Sequence, residues 1–400
     1  MDLRFMHGVP LAHLHTAPRT MLAEEPELTV PKDFSGAVAA MLSRLNLASN
    51  EFLSRQFDHE VQSGSVIKPI QGAGRVSGEA GIFKPVLSSP RAVVLSSALT
   101  PFYSDLDPYR MAAAAIDGAV RAAIAAGASL DYLALLDNFC WTESDKPERL
   151  WQLKEAARAC FDYATLYGTP FISGKDSMFN DFKGYDEKGN FVKISALPTL
   201  LISTIGVMED AEKAVSIDPK FAGDYVYLLG ETHEELGGSE YFRMIAEHGQ
   251  AGRIGGAVPK TDGKKNLKLY RAFSKAVKAE LVASAISVGR GGLAVALSKM
   301  FMAGGLGIEA DISKIPGTII YDSAGAVPNT LFSESQGRIL ATVSPQNAKT
   351  FEKLCQGLPI RRIGLVTKGK TLSIRSGKKK LASLSLGKAL AAYRKIFKGW

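Results

Sequence analysis

The sequence predicts an α+β protein of two domains in which sheets and helices pack as layers. Three observations carry this. The chain has 400 residues, enough for two or three domains of ordinary size. Short apolar strand-like runs and helical segments both recur along it, without the regular strand–helix alternation of a doubly wound parallel fold. A break near 212–222 separates two such mixed stretches, so the expected layout is an extended segment over 1–30, domains over 31–212 and 222–376, and a basic helix or tail over 377–400. Apolar residues make up 46% and charged residues 22%, the balance of a chain that buries a core, which excludes a disordered protein. No run approaches the ~18 apolar residues of a membrane span.

The elements follow in order. An amphipathic segment occupies 34–47, with Phe34, Val38, Met41, Leu42 and Leu45 at helical spacing. Residues 61–69 read as a strand entering the turn 71–74, and 82–83 and 92–95 as further strands. Asp107 can cap a helix whose first turn holds Pro108 and whose alanine-rich run ends at Gly127. Residues 132–137 form a short apolar strand leading into Asn138-Phe139-Cys140-Trp141. A helix over 146–167 is expected to bury Trp151, Leu153, Ala157, Cys160, Phe161 and Ala164. A strand at 170–173 runs into the polar turn Ser173-Gly174-Lys175-Asp176-Ser177, and 200–207 is another buried strand. Beyond the break come a strand at 224–229, a helix at 267–283, a glycine turn at 289–292, a helix at 293–303, a strand at 338–343, a helix at 346–356 and a strand at 362–367.

Charge is unevenly placed. The net charge is +8, yet residues 341–400 alone carry +13 and the rest of the chain −5. Such a basic stretch can meet phosphates or an acidic partner, but it is mainly a solvated outer face. It has few aromatics between its charges, so nucleic-acid binding is not expected. Cys140, Cys160 and Cys355 are odd in number, far apart and without metal-ligand spacing, which points to a reducing, cytoplasmic setting rather than to disulfides or zinc. The first residues show no basic region followed by an apolar stretch, so no signal peptide is expected.

One segment stands out chemically. Residues 173–177 put a glycine, a cation, an acid and two hydroxyls after a strand, a set suited to a phosphate: glycine lets the anion approach the backbone, lysine supplies compact charge and serine donates a hydrogen bond. A polar turn closing a strand would look the same, and the glycine spacing of a Walker A loop is missing. The glycine turns at 237–238, 289–292 and 304–307 fit tight turns and close packing. Asp58, His59 and Glu60 are adjacent in sequence, so their side chains diverge and the histidine is read as structural or partner-facing. No nucleophile elbow or metalloprotease helix is present, and Cys140 is read as a small apolar residue rather than a nucleophile. From the residues alone, no catalytic or metal-ligating residue is named.

Several motifs in one order, RQFDHEVQSGSVIKP (55–69), DPYRMAAAAID (107–117), LLDNFCW (135–141), GTPFISGKDSMFND (168–181), LGETHEELGGSEY (229–241), RGGLAVAL (290–297) and LFSESQGR (331–338), resemble the C-terminal half of phosphoribosylformylglycinamidine synthase. Even MDLRFMHGVP resembles the closing strand of that family's preceding domain, as in a split or truncated gene. The resemblance implies an AIR-synthetase-like (PurM-like) N-terminal α+β domain followed by its C-terminal companion. It also implies ATP-dependent conversion of formylglycinamide ribonucleotide to its amidine, through a phosphorylated amide oxygen displaced by glutamine-derived ammonia. Partners would be an N-terminal half and a glutaminase subunit or domain; cofactors would be ATP and magnesium, held mainly by the partner half. By the same likeness Gly174, Lys175 and, less directly, Asp137 would face the nucleotide, and Ser177 and Asp176 the substrate. The family's catalytic histidine has no counterpart here.

The departures are informative. Where many members place an acid and an asparagine for magnesium on the helix after DPYRM, this chain has Gly118 and Ala122. The acid of another family segment is Glu79, and a frequent acid-bearing segment reads Ile286-Ser287-Val288-Gly289-Arg290-Gly291-Gly292. Magnesium wants oxygen ligands, so a nucleotide site within this half is expected to be vestigial. Two other readings remain open: a non-catalytic scaffold half that only docks partners, and another ATP-dependent enzyme of the AIR-synthetase-like group.

Overall fold

A computed structural model of the chain describes residues 8, 13–19, 25, 28, 30–56, 59–247, 255–319 and 325–399. Most of the expected extended segment 1–30, its likeness to a closing strand, and Asp58 lie outside these residues.

The element on which the molecule is built is the helix Pro108–Ala125. Asp107 caps it, accepting from the Arg110 N–H at 2.9 Å, and Pro108 occupies the first turn, where its missing N–H costs nothing. Sixteen of its eighteen residues are buried, because it lies against both sheets of the molecule and not on a surface. Small side chains suit that position: runs of alanine let two sheets approach one helix from opposite sides.

The first sheet has six strands in the order Ser65–Ile67, Ala80–Phe83, Ala92–Ala98, Thr199–Met208, Leu133–Cys140 and Phe171–Ser177. All neighbours are antiparallel except the last pair, which is parallel. The helices Pro108–Ala125 and Pro147–Tyr167 cover one face. The second sheet has seven strands, in the order Ser284–Val288, Arg338–Val343, Tyr225–Leu229, Ile360–Thr367, Gly307–Asp311, Thr371–Ser376 and Lys379–Ser385. Its pairs are antiparallel save for 307–311 with 371–376. Layers of sheet and helix in this mixed order make the α+β class a property of the molecule.

Several local expectations are corrected. The helix Pro147–Tyr167 buries Gln152, Ala156, Ala159, Cys160, Tyr163 and Tyr167, leaving Phe161 71% exposed. The polar tips on that face all find partners: Gln152 donates to Ser104 O, Tyr163 to Thr261 O and Tyr167 to Asp117. Hydrogen bonding thus let tyrosine and glutamine take places that hydropathy assigned to Phe161. The helix expected over 267–283 is Gly263–Lys278, and Ser284–Val288 is a wholly buried strand. Glu280, at φ +56°, lies between them, beyond the helix end.

The C-terminal stretch is not a loose tail. Lys379–Ser385 is the edge strand of the second sheet, hairpinned to Thr371–Ser376 through a turn at Gly377. The helix Leu386–Tyr393 packs on Ser35–Leu42 and Gly292–Gly304. Tyr393 accepts from the Ser77 N–H at 3.0 Å, and Arg394 donates to Gly74 O at 2.7 Å. The segment 34–47 is likewise buried in the core beneath the second sheet, through Phe34, Val38, Met41, Leu42 and Leu47.

Candidate functional site

Residues 173–177 are strand, not a phosphate-cradling turn. Phe171–Ser177 runs parallel to Leu133–Cys140 at the edge of the first sheet, with Asp137 opposite Gly174, Asn138 opposite Lys175, Phe139 opposite Asp176 and Cys140 opposite Ser177. The reason lies at Gly174. A Cβ there would fall 2.6 Å from Asp137 Oδ1, so only glycine lets the two strands close up at this register. The sequence signal was real, but the glycine serves strand approach and not a nest of N–H groups.

Pairing brings all five sequence-selected residues to one sheet edge and the pleat then divides them. Asp137, Gly174 and Asp176 belong to the helix-covered face. Burial, opposed by a hydrogen bond from the Lys175 N–H and reinforced by the nearby Asp176 charge, raises the Asp137 carboxyl above its ordinary range. Lys175 and Ser177 alternate to the opposite face. Lys175 is exposed, with no acidic partner among the described residues. Ser177 Oγ donates to Asn180 Oδ1 at 3.0 Å, and Asn180 Nδ2 donates back to Ser177 O at 2.7 Å.

That opposite face is apolar and, among the described residues, uncovered. Leu95, Leu136, Ile172, Ser203 and Ile205 line a shallow concavity of about 490 Å³ on it. Leu95 is 42% and Ile172 61% exposed. Beside the edge, the hairpin Asp181–Tyr185 and Phe191–Ser195 is tied to the body through Thr142, which donates to Asp181 at 2.6 Å, and through Glu143, which meets Lys146 at 3.0 Å, Lys183 at 3.1 Å and also Lys193. Hydrogen bonds from Lys193, Lys146 and Lys183 hold the Glu143 carboxyl down to about 2. Sequence reasoning missed this cluster, because Lys183 and Lys193 lie 40 and 50 residues beyond Glu143 and reach it only through the hairpin. Elsewhere His59 Nε2 is buried without a partner, and Glu60 pairs with Lys68, consistent with a structural role. Cys140 is half-buried; Cys160 and Cys355 are buried, and all three are free.

A second concavity, of about 260 Å³, lies between the two sheets and holds Gly118, Ala122, Ser287 and Gly289, from the segments where the family's magnesium ligands are replaced, together with the acid Glu79. The helix does carry an acid, Asp117, one position before Gly118, but it is turned into the core. There it accepts from Tyr167 (2.6 Å), Asn266 (2.8 Å), Tyr270 (2.8 Å) and the Gly337 N–H (3.1 Å), and pairs with Arg121. Arg121 in turn donates to Ser287 Oγ at 2.9 Å and Gln336 Oε1 at 3.1 Å. Glu334 accepts from the Gly291 N–H at 2.8 Å and the Glu240 N–H at 3.0 Å, and burial raises its carboxyl. Among the cleft's carboxylates only Glu79 is left without a bonded partner, and the described residues include no cluster of three metal-ligating side chains. The donor set does not fit magnesium: Asp117 is already paired with the Arg121 guanidinium.

Comparison with known proteins agrees with this architecture. The AIR synthase related protein models match in order, the N-terminal domain over residues 78–199 and the C-terminal domain over 222–377. The phosphoribosylformylglycinamidine synthase subunit PurL of Methanocaldococcus jannaschii is 31% identical over 379 residues, covering 94% of this chain and 48% of that one. Among solved structures, T. maritima PurL complexed with FGAR has a TM-score of 0.66 at 18% identity, covering 88% of this chain and 53% of that one. T. maritima PurL complexed with ATP has a TM-score of 0.57 at 19% identity, covering 76% and 45%. The chain spans about half the length of these relatives. It belongs to the AIR synthase related family, carries that family's N- and C-terminal domains in sequence, and is a relative of the phosphoribosylformylglycinamidine synthase subunit PurL.

Proposed function

We propose that this chain is the C-terminal half of a phosphoribosylformylglycinamidine synthase and works only when joined to an N-terminal half. The observation that carries the reading is a sheet edge bearing Asp137, Gly174, Lys175, Asp176 and Ser177 beside an uncovered apolar sheet face. An open sheet face of this kind is suited to docking, and the part of its relatives that this chain does not span would be of the right size to cover it. In the composite site Gly174, Lys175 and Asp137 lie toward the nucleotide, and Ser177 and Asp176 toward formylglycinamide ribonucleotide. Lys175 supplies charge for phosphate, Ser177 a hydroxyl. ATP phosphorylates the formamide oxygen and ammonia from a glutaminase subunit displaces the phosphate, so the protein's task is positioning and charge neutralisation. Magnesium and most of the ATP contacts come from the N-terminal half, since the cleft of this chain does not suit a metal.

The test is ADP release with formylglycinamide ribonucleotide, ATP, magnesium and ammonium, using the chain alone and mixed with an N-terminal half from a related synthase. Activity only in the mixture, lost in Lys175→Met and Ser177→Ala, supports the reading. A mixture that assembles but is silent, or is indifferent to both substitutions, favours a scaffold that docks partners without contributing to chemistry.

A further inference from the structure

A third cavity is distinct from both the sheet edge and the cleft. It has a volume of about 690 Å³ and lies where the loop after Ser35–Leu42, the helix Glu240–Glu247 and the chain beyond Leu386–Tyr393 converge on Phe102. Its polar wall holds Ser43, Arg44, Asn46, Arg243 and Lys395; the rest is apolar, with Leu45, Met244 and Ile396 prominent.

The cations are not equivalent. Glu240, its side chain fully buried, accepts from Arg44 Nε and Asn46 Nδ2, both at 2.6 Å, so that carboxylate is committed. Arg243 is held differently. Its guanidinium lies 3.7 Å above the Phe102 ring, and its Nε is buried with no hydrogen-bond partner. An arginine laid flat on an aromatic ring keeps its in-plane N–H groups for an anion, and a buried unbonded N–H is unfavourable until something accepts from it. Lys395 has no acidic partner among the described residues and lines the same cavity.

From this geometry we infer a binding site for a small phosphate monoester with an apolar or aromatic body, bound without a metal ion. The phosphate accepts from Arg243 and is neutralised by Lys395, while the organic part rests against the apolar wall. A guanidinium fork matches phosphate oxygens, and no carboxylate is left over in the described wall to hold a cation. The site is separate from the 173–177 edge, and its occupancy does not depend on the synthase reading.

The experiment is calorimetric titration of the full chain with 5′-AMP and with inorganic phosphate, both in EDTA. AMP is expected to bind, at least tenfold more tightly than phosphate. Arg243→Met should weaken AMP by at least tenfold and Lys395→Met by several-fold, while Arg243→Lys recovers part of the loss. Circular dichroism melting verifies that each variant is folded; Lys395→Met, at an exposed position, keeps the test open if Arg243→Met fails to fold. No AMP binding, binding that requires magnesium, equal affinity for phosphate and AMP, or binding untouched by Lys395→Met together with Arg243→Lys would overturn the inference.

Discussion

Arg121→Met is the substitution that most directly tests how the two layers are joined. Asp117 and Arg121 are one helical turn apart and essentially unexposed, at 0% and 2%. Removing the guanidinium leaves a buried carboxylate with hydrogen bonds from Tyr167, Asn266, Tyr270 and Gly337 but no opposite charge, and strips Ser287 and Gln336 of a donor. Breaking one side of a buried pair costs about 3–5 kcal/mol. Asp117→Asn in the same background removes the stranded charge while keeping an acceptor, so the double variant should lose only about 1–3 kcal/mol, the cost of imperfect hydrogen bonding. The double variant is therefore expected to be more stable than the single one, an inversion that no simple loss of packing produces. Urea unfolding followed by far-ultraviolet circular dichroism, analysed as a double-mutant cycle, measures this. If Arg121→Met lies within about 1 kcal/mol of the parent chain, or if the two losses simply add, the pair is not a charge lock and the reasoning fails. Adding magnesium with ADP should not restore the single variant, because the cleft lacks the carboxylates to hold the metal.

Two further outcomes are expected. Gly174→Ala places a methyl 2.6 Å from Asp137 Oδ1 and 2.8 Å from Oδ2, so it should destabilise by about 1–3 kcal/mol, and by much less in an Asp137→Ala background, as thermal melting of the four variants will show. The Glu143 carboxyl is depressed from the ordinary 4.5 to about 2 by its lysines, so the tether it gives the hairpin is fully present above pH 4.5 and lost as pH falls through about 2. The Ile194 methyl resonance should follow that titration, and Glu143→Gln should abolish it; a methyl indifferent to both would show that the lysines do not hold the hairpin.

Much was legible in the sequence because it is locally encoded. The Asp107-Pro108 start and alanine run of the central helix, the Gly377 turn, and the strands at 200–207, 224–229, 338–343 and 362–367 all follow from capping, backbone and hydropathy rules that act within a few residues. The motif order from 55 to 338 carried the family. What the sequence could not decide is what depends on partners distant along the chain. Gly174 read as a loop glycine because nothing local says that Asp137 lies opposite it in a parallel pair. The buried stripe of Pro147–Tyr167 was misplaced because Tyr163, Tyr167 and Gln152 are paid for by hydrogen bonds to Thr261, Asp117 and Ser104, which hydropathy does not count. Asp117 and Arg121 sit in an ordinary i, i+4 relation that, on a surface, contributes little. Only the closing of two sheets around one alanine-rich helix makes them a fully buried pair.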